Sequence, residues 1–167
     1  TATHDHHPPA RFWGKHLFST DHKVIAKQYL FTGMLMALIG GFMAYVFRMQ
    51  LAYPGMEVPG FGLVSPGQYY SIVTNHGTIM IFWVAMPVLI AAFGNILIPL
   101  MVGCDDMVFP RLNRLSYQIF FLSTVVLFIS FIVPGGGFGG SWTTYPPLSA
   151  RPEYNLTPWG APLWLLA

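Results

Sequence analysis

Of the six histidines, His76 is the one that falls inside a membrane-length apolar run. From Gly77 to Cys104 no side chain carries a charge. An imidazole in such a setting can bind a haem iron through one ring nitrogen, pass protons along a relay, or hold a neighbouring helix by a hydrogen bond. The residue alone leaves these open. Gly77 adds no side chain that would obstruct a macrocycle, and Ile79, Met80, Ile81, Phe82 and Trp83 can form a dry wall beside one. Arg48 closes an earlier apolar run, either as a snorkelling anchor or as a donor to a buried acceptor on a cofactor. Asp106, with Asn95 behind it and Asn113 ahead, can form an acidic mouth with amides along a file of water. It can equally be a solvated loop charge, as Asp105 beside it suggests. Trp142 and Tyr145, in the stretch SWTTYPPLSA, fit an aromatic belt at a membrane surface, with an indole donating to a cofactor carboxylate as the sharper alternative.

Composition decides what kind of scaffold must hold these groups. The chain has 167 residues, 54% hydrophobic and 8% charged, against about 25% charged in a soluble domain. An ordinary soluble globule is excluded, and an all-α membrane bundle is expected. The net charge of +2 gives no basic patch for nucleic acid. The single cysteine, Cys104, allows no internal disulfide and no cysteine-rich metal site.

Three complete spans are expected, plus the opening turns of a fourth. Residues 1–27 read as a polar surface segment with interleaved aromatics and no secretory leader, and residues 28–167 as the transmembrane part. His4, His6 and His7 offer a possible chelating cluster but sit in a terminus where solvation is the plainer reading. The first span runs from about Val24 to Leu51, and Gly33, Gly40 and Gly41 permit close approach of a neighbouring helix or ring. Tyr53–Tyr70 is rich in Pro and Gly and reads as a loop. The second span, Ser71–Val102, contains Pro87 and Pro99, each of which deletes a helical hydrogen bond and should bend the helix. The third runs from about Leu115 to Val133, and Pro158–Ala167 begins the fourth. Arg11, Lys15, Lys23, Lys27, Arg111 and Arg114 flank one end of the bundle, with Arg48 and Arg151 toward the other. That asymmetry puts the N-terminus and the Asp105–Arg114 loop inside, and His76 and Arg48 toward the outer face.

Several segments together resemble subunit I of cytochrome c oxidase, of the haem–copper oxidase superfamily. They are FSTDHK (Phe18–Lys23), NHGTIMIFWVAMP (Asn75–Pro87), FGNILIPLMVG (Phe93–Gly103), DMVFPRLN (Asp106–Asn113) and GSWTTYPPLS (Gly140–Ser149). The resemblance implies a portion of a twelve-span subunit. It implies that His76 is an axial ligand of the low-spin haem a and that Arg48 hydrogen-bonds the formyl group of that haem. It further implies that Asp106, Asn95 and Asn113 form the entrance of the D proton pathway, and that Trp142 and Tyr145 lie close to the haem propionates. An oxygen-binding haem and a copper ion would be held by the rest of the subunit. Cytochrome c as electron donor, oxidase subunits II and III and membrane lipid are the implied partners.

The sequence departs from the family in places. Arg114 stands where an asparagine is common, Gln50 where some members carry a cation-binding carboxylate, and Ala44 where some carry a hydroxyl. Quinol oxidases of the same superfamily are the nearest alternative. Their quinone-site positions are matched here by Ile39, Met43, Gln68 and Ser71, which lack the expected side chains and favour cytochrome c. A non-catalytic membrane scaffold or transporter segment is the alternative from another class. The polar, His-rich start favours a bacterial plasma membrane over a mitochondrial inner membrane.

Overall fold

A computed structural model describes residues 18–134, 136–150 and 159–167. Residues 1–17 of the expected surface segment, with the histidines at positions 4, 6 and 7, lie outside the described residues, and its residues 22–27 are the first turns of the first helix. The described residues are helical with no β-strand; one isolated bridge, Val58 to Gly62, tightens the first loop. Helix α1 is His22–Ala52, α2 is Pro66–Val102 and α3 is Pro110–Ile132. All three are long and apolar enough to cross a membrane. A short α4, Gly160–Leu166, follows.

The helix starts show why the loops are shorter than the composition suggested. Ser65 caps α2: its Oγ accepts from Gln68 N at 3.3 Å, and Gln68 Oε1 accepts from Ser65 N at 2.9 Å. Pro66 occupies the first helical position, where its missing N–H and fixed φ are no handicap. Pro110 opens α3 in the same way, one turn or more before Leu115. In both cases a proline taken as loop punctuation is the first residue of the helix.

The middle of α2 is wound more loosely. Ile79–Ala85 and Pro87–Ala92 are π-helical, between α-helical Pro66–Thr78 and Phe93–Val102. Pro87 has no N–H for the carbonyl four residues back, and the Met86 N–H already reaches Ile81 O in the i to i−5 pattern. The proline therefore sits within widened turns and does not break the helix.

Packing follows the small residues. A Cβ built on Gly33 would meet Val88 Cγ2 at 2.6 Å, so α1 and α2 are in contact at that level. Tyr29 and Tyr117 pack edge to face at 5.0 Å, with Tyr29 OH 3.0 Å from Ser116 Oγ and Thr32 Oγ1 3.0 Å from Tyr117 OH. The Trp83 indole N–H donates to Thr124 Oγ1 at 3.1 Å, joining α2 to α3. Such bonds between membrane helices contribute roughly 0.6 kcal/mol each, so close packing does more to hold the bundle together. Gly33→Ala is expected to destabilise the bundle by about 1–3 kcal/mol through overpacking. Adding Val88→Ala should recover part of that loss, as read by thermal unfolding of the detergent-solubilised complex; an unchanged midpoint in Gly33→Ala would show that the helices can separate there at no cost.

Candidate functional site

His76 stands half-buried on α2, one turn into the apolar run. Its Nδ1 donates to Gly40 O of α1 at 2.8 Å, a carbonyl reachable because Gly40 itself is packed against Met80. With the proton fixed on Nδ1, the lone pair is on Nε2, which no hydrogen bond engages among the described residues. This is the arrangement a metal-binding imidazole needs: one nitrogen anchored to a carbonyl, the other free. The Phe47 ring meets the imidazole edge to face at 5.3 Å, and Arg48 Cζ lies 5.9 Å over Phe47. Cβ atoms added at Gly41 or Gly77 would touch nothing within 4 Å, so α1 and α2 leave open space at both positions. The exposed Arg48 guanidinium pairs with no carboxylate among the described residues. A ring nitrogen left free beside open space, with an unpaired guanidinium nearby, is chemically suited to a flat, iron-bearing macrocycle.

The opposite end carries the acid. Asp106 lies in the α2–α3 loop, where its Oδ1 accepts from Met107 N at 2.8 Å and from His22 Nδ1 at 3.0 Å. The Met107 N–H, with the His22 contact adding to it, holds the carboxyl below its ordinary range against a smaller opposing effect of burial. Arg114 Nη1 donates to Phe18 O at 3.3 Å, a second tie between the start of α1 and this region. The N-terminal end of α1 and the α2–α3 loop therefore share one end of the bundle, as the Lys and Arg pattern required. Asn113 Nδ2 donates to Asn95 Oδ1 at 2.7 Å, and Asn95 Nδ2 to Ala91 O at 2.8 Å. A recess of about 460 Å³ is lined by Asp106, Asn113 and Ser116 together with Ile98, Pro99 and Phe109. It is mainly apolar, with the Asp106 carboxylate, the Asn113 amide, the Ser116 hydroxyl and the Cys104 thiol as its polar groups.

Trp142 is half-exposed with its ring 6.2 Å from that of Phe82 on α2. Tyr145 is 75% exposed, and no hydrogen bond or ring contact joins it to the other candidates. The structure thus brings Arg48 and His76 together through Phe47, and brings Asn95 to Asn113. Asp106 shares a recess with Asn113, and Tyr145 stands apart.

Sequence reasoning missed His22, the Gly40 carbonyl as partner of the imidazole, and the polar face of α2 formed by Ser71, Thr74, Asn75 and Thr78. His22 left only a weak signal, an ionisable residue one position after a helix-capping aspartate; Asp21 accepts from Lys23 N at 2.8 Å. The α2 face was marked by its i, i+3, i+4, i+7 spacing in an otherwise apolar run.

Over residues 24–167 the sequence matches the model of the family described as Cytochrome C and Quinol oxidase polypeptide I. The chain belongs to this family. With its three membrane-length helices it is an integral membrane protein. It is 41% identical over 160 residues to the alternative cytochrome c oxidase subunit 1 of Bradyrhizobium diazoefficiens, covering 94% of this chain and 26% of that protein. It is 44% identical over 168 residues to the cytochrome c oxidase subunit 1 of a Synechocystis species, covering 100% of this chain and 28% of the relative. A heme-copper oxidase subunit I+III of Aeropyrum pernix is 44% identical over 135 residues, 80% of this chain and 16% of that protein. The chain spans about a quarter of the length of the first two.

Proposed function

We propose that this chain is the N-terminal part of the catalytic subunit of a respiratory terminal oxidase that oxidises cytochrome c, reduces dioxygen to water and pumps protons. The observation that carries the reading is the His76 imidazole, anchored through Nδ1 to Gly40 O with Nε2 free for iron. Bound there, a low-spin haem a would supply one-electron redox chemistry. His76 Nε2 would hold its iron, and the Arg48 guanidinium would donate to its formyl group. Trp142 and Tyr145 would serve its propionates. Asp106 collects protons at the other end, and the Asn95–Asn113 pair orders water beyond it. A further iron ligand, the oxygen-binding haem and the copper site would belong to the longer subunit, which would assemble with subunits II and III in a bacterial plasma membrane, N-terminus inside. Negative charge added within the bundle would raise the proton affinity of nearby groups, because it is poorly screened in low dielectric. Proton entry opposite the haem gives that uptake a direction.

Cytochrome c is favoured over quinol as donor by a second recess, about 660 Å³, in which Met43, Gln68 and Ser71 meet Phe61, Ile72 and Phe131. Among the described residues no ionisable side chain lines it, and quinol oxidation needs a group to take up protons. In the assembled complex, reduced cytochrome c is expected to drive oxygen uptake and a soluble quinol is not. Turnover with quinol alone would make the protein a quinol oxidase; turnover with neither would leave a membrane scaffold.

A further inference from the structure

The Gly136–Ala150 loop, which carries Trp142, is gripped by the polar face of α2. Ser71 Oγ donates to Gly137 O at 2.6 Å, and Asn75 Nδ2 donates to Phe138 O at 3.1 Å. The Ser141 N–H donates to Thr74 Oγ1 at 3.1 Å. Thr74 and Asn75 are buried in turn, and the residue after them is His76. Gly137 is required for this approach, because a Cβ there would come 2.7 Å from Asn75 Nδ2 and 2.9 Å from Phe131 Cδ1. Ser141 and Thr144 have φ of 67° and 52°, a left-handed conformation that residues other than glycine rarely adopt. These two residues bracket Trp142 and Thr143. A backbone held so unfavourably on both sides of one indole, and bonded at Ser141 to α2, is restrained by its surroundings and does not rest in its own minimum.

We infer that Thr74, with Ser71 and Asn75, is a positioning element that fixes the Trp142 indole relative to His76, so that one turn of α2 sets both the iron ligand and the aromatic donor. This rests on the haem reading of His76 and Trp142. Thr74 touches neither group and acts through the Ser141 amide.

Thr74→Val keeps the shape of the side chain and removes the acceptor for Ser141 N–H. In the assembled oxidase, hydrogen exchange of peptides covering residues 136–145 should become roughly fivefold to tenfold faster, the effect of one lost hydrogen bond. The midpoint potential of the low-spin haem should move in the same direction as in Trp142→Phe, and the Thr74→Val/Trp142→Phe double variant should move no further than Trp142→Phe alone. Unchanged exchange in Thr74→Val, or a double variant whose potential shift is the sum of the two single shifts, would overturn the inference. A Trp142→Phe variant with an unshifted potential would also overturn it while leaving His76 as ligand. A wild-type complex with no low-spin haem would remove the haem reading and this inference together.

Discussion

His76→Ala is expected to abolish the low-spin haem band in the optical spectrum of the assembled complex. The whole band should go, because the variant removes the proposed iron ligand and the described residues supply no substitute. Among the described residues no cluster of three His, Cys, Asp or Glu could capture the iron instead. Met80 is near, but its thioether packs against Gly40. The variant leaves Gly40 O, whose other lone pair serves the α1 ladder, and therefore should not unfold the bundle. Free imidazole added to the variant is expected to refill the space and restore part of the band. A variant that assembles and keeps the full band would end the ligand assignment.

Asp106→Asn is expected to slow proton uptake by roughly a hundredfold or more, the scale set by loss of a proton-transferring side chain, with the haem spectrum intact. The substitution is conservative in shape. An amide oxygen can still accept from Met107 N and His22, so the loop keeps its form while the exchangeable charge is lost. The pH behaviour separates the two roles. The Asp106 carboxyl is held below its usual range, first by the Met107 N–H. A depressed carboxyl stabilises the folded form above its unfolded pKa, and that contribution fades as pH falls through the lower folded value. The wild-type loop should therefore loosen only in acid, and the Asn variant should lack that acid-dependent loosening. Because the Asp106 side chain is 46% exposed, the stability involved is small. Pumping at the wild-type rate in Asp106→Asn would remove Asp106 from the proton path.

The three spans were legible because uncharged stretches of twenty or more residues have few other uses. Their starts were not, since Pro66 and Pro110 serve as well at a first helical turn as in a loop, and only the Ser65–Gln68 reciprocal cap decides the matter for α2. The widened turns around Pro87 leave no mark in composition. His76 stood out as an ionisable residue in an apolar run, yet its partner is a backbone carbonyl, which every residue possesses and no sequence pattern advertises. The His22–Asp106 contact spans 84 positions and could come only from three-dimensional packing. Thr74 and Asn75 were visible as polar residues at helical spacing. Their purpose depends on a glycine-rich loop more than sixty residues later.

Helix α2 has 37 residues, about 55 Å if wound as an ordinary α-helix, against a hydrocarbon slab of about 30 Å. A rod that much longer than its host must lean or stand proud of the surface. The thickness of the surrounding lipid then influences the tilt of the rod, and with it the depth at which the imidazole rides.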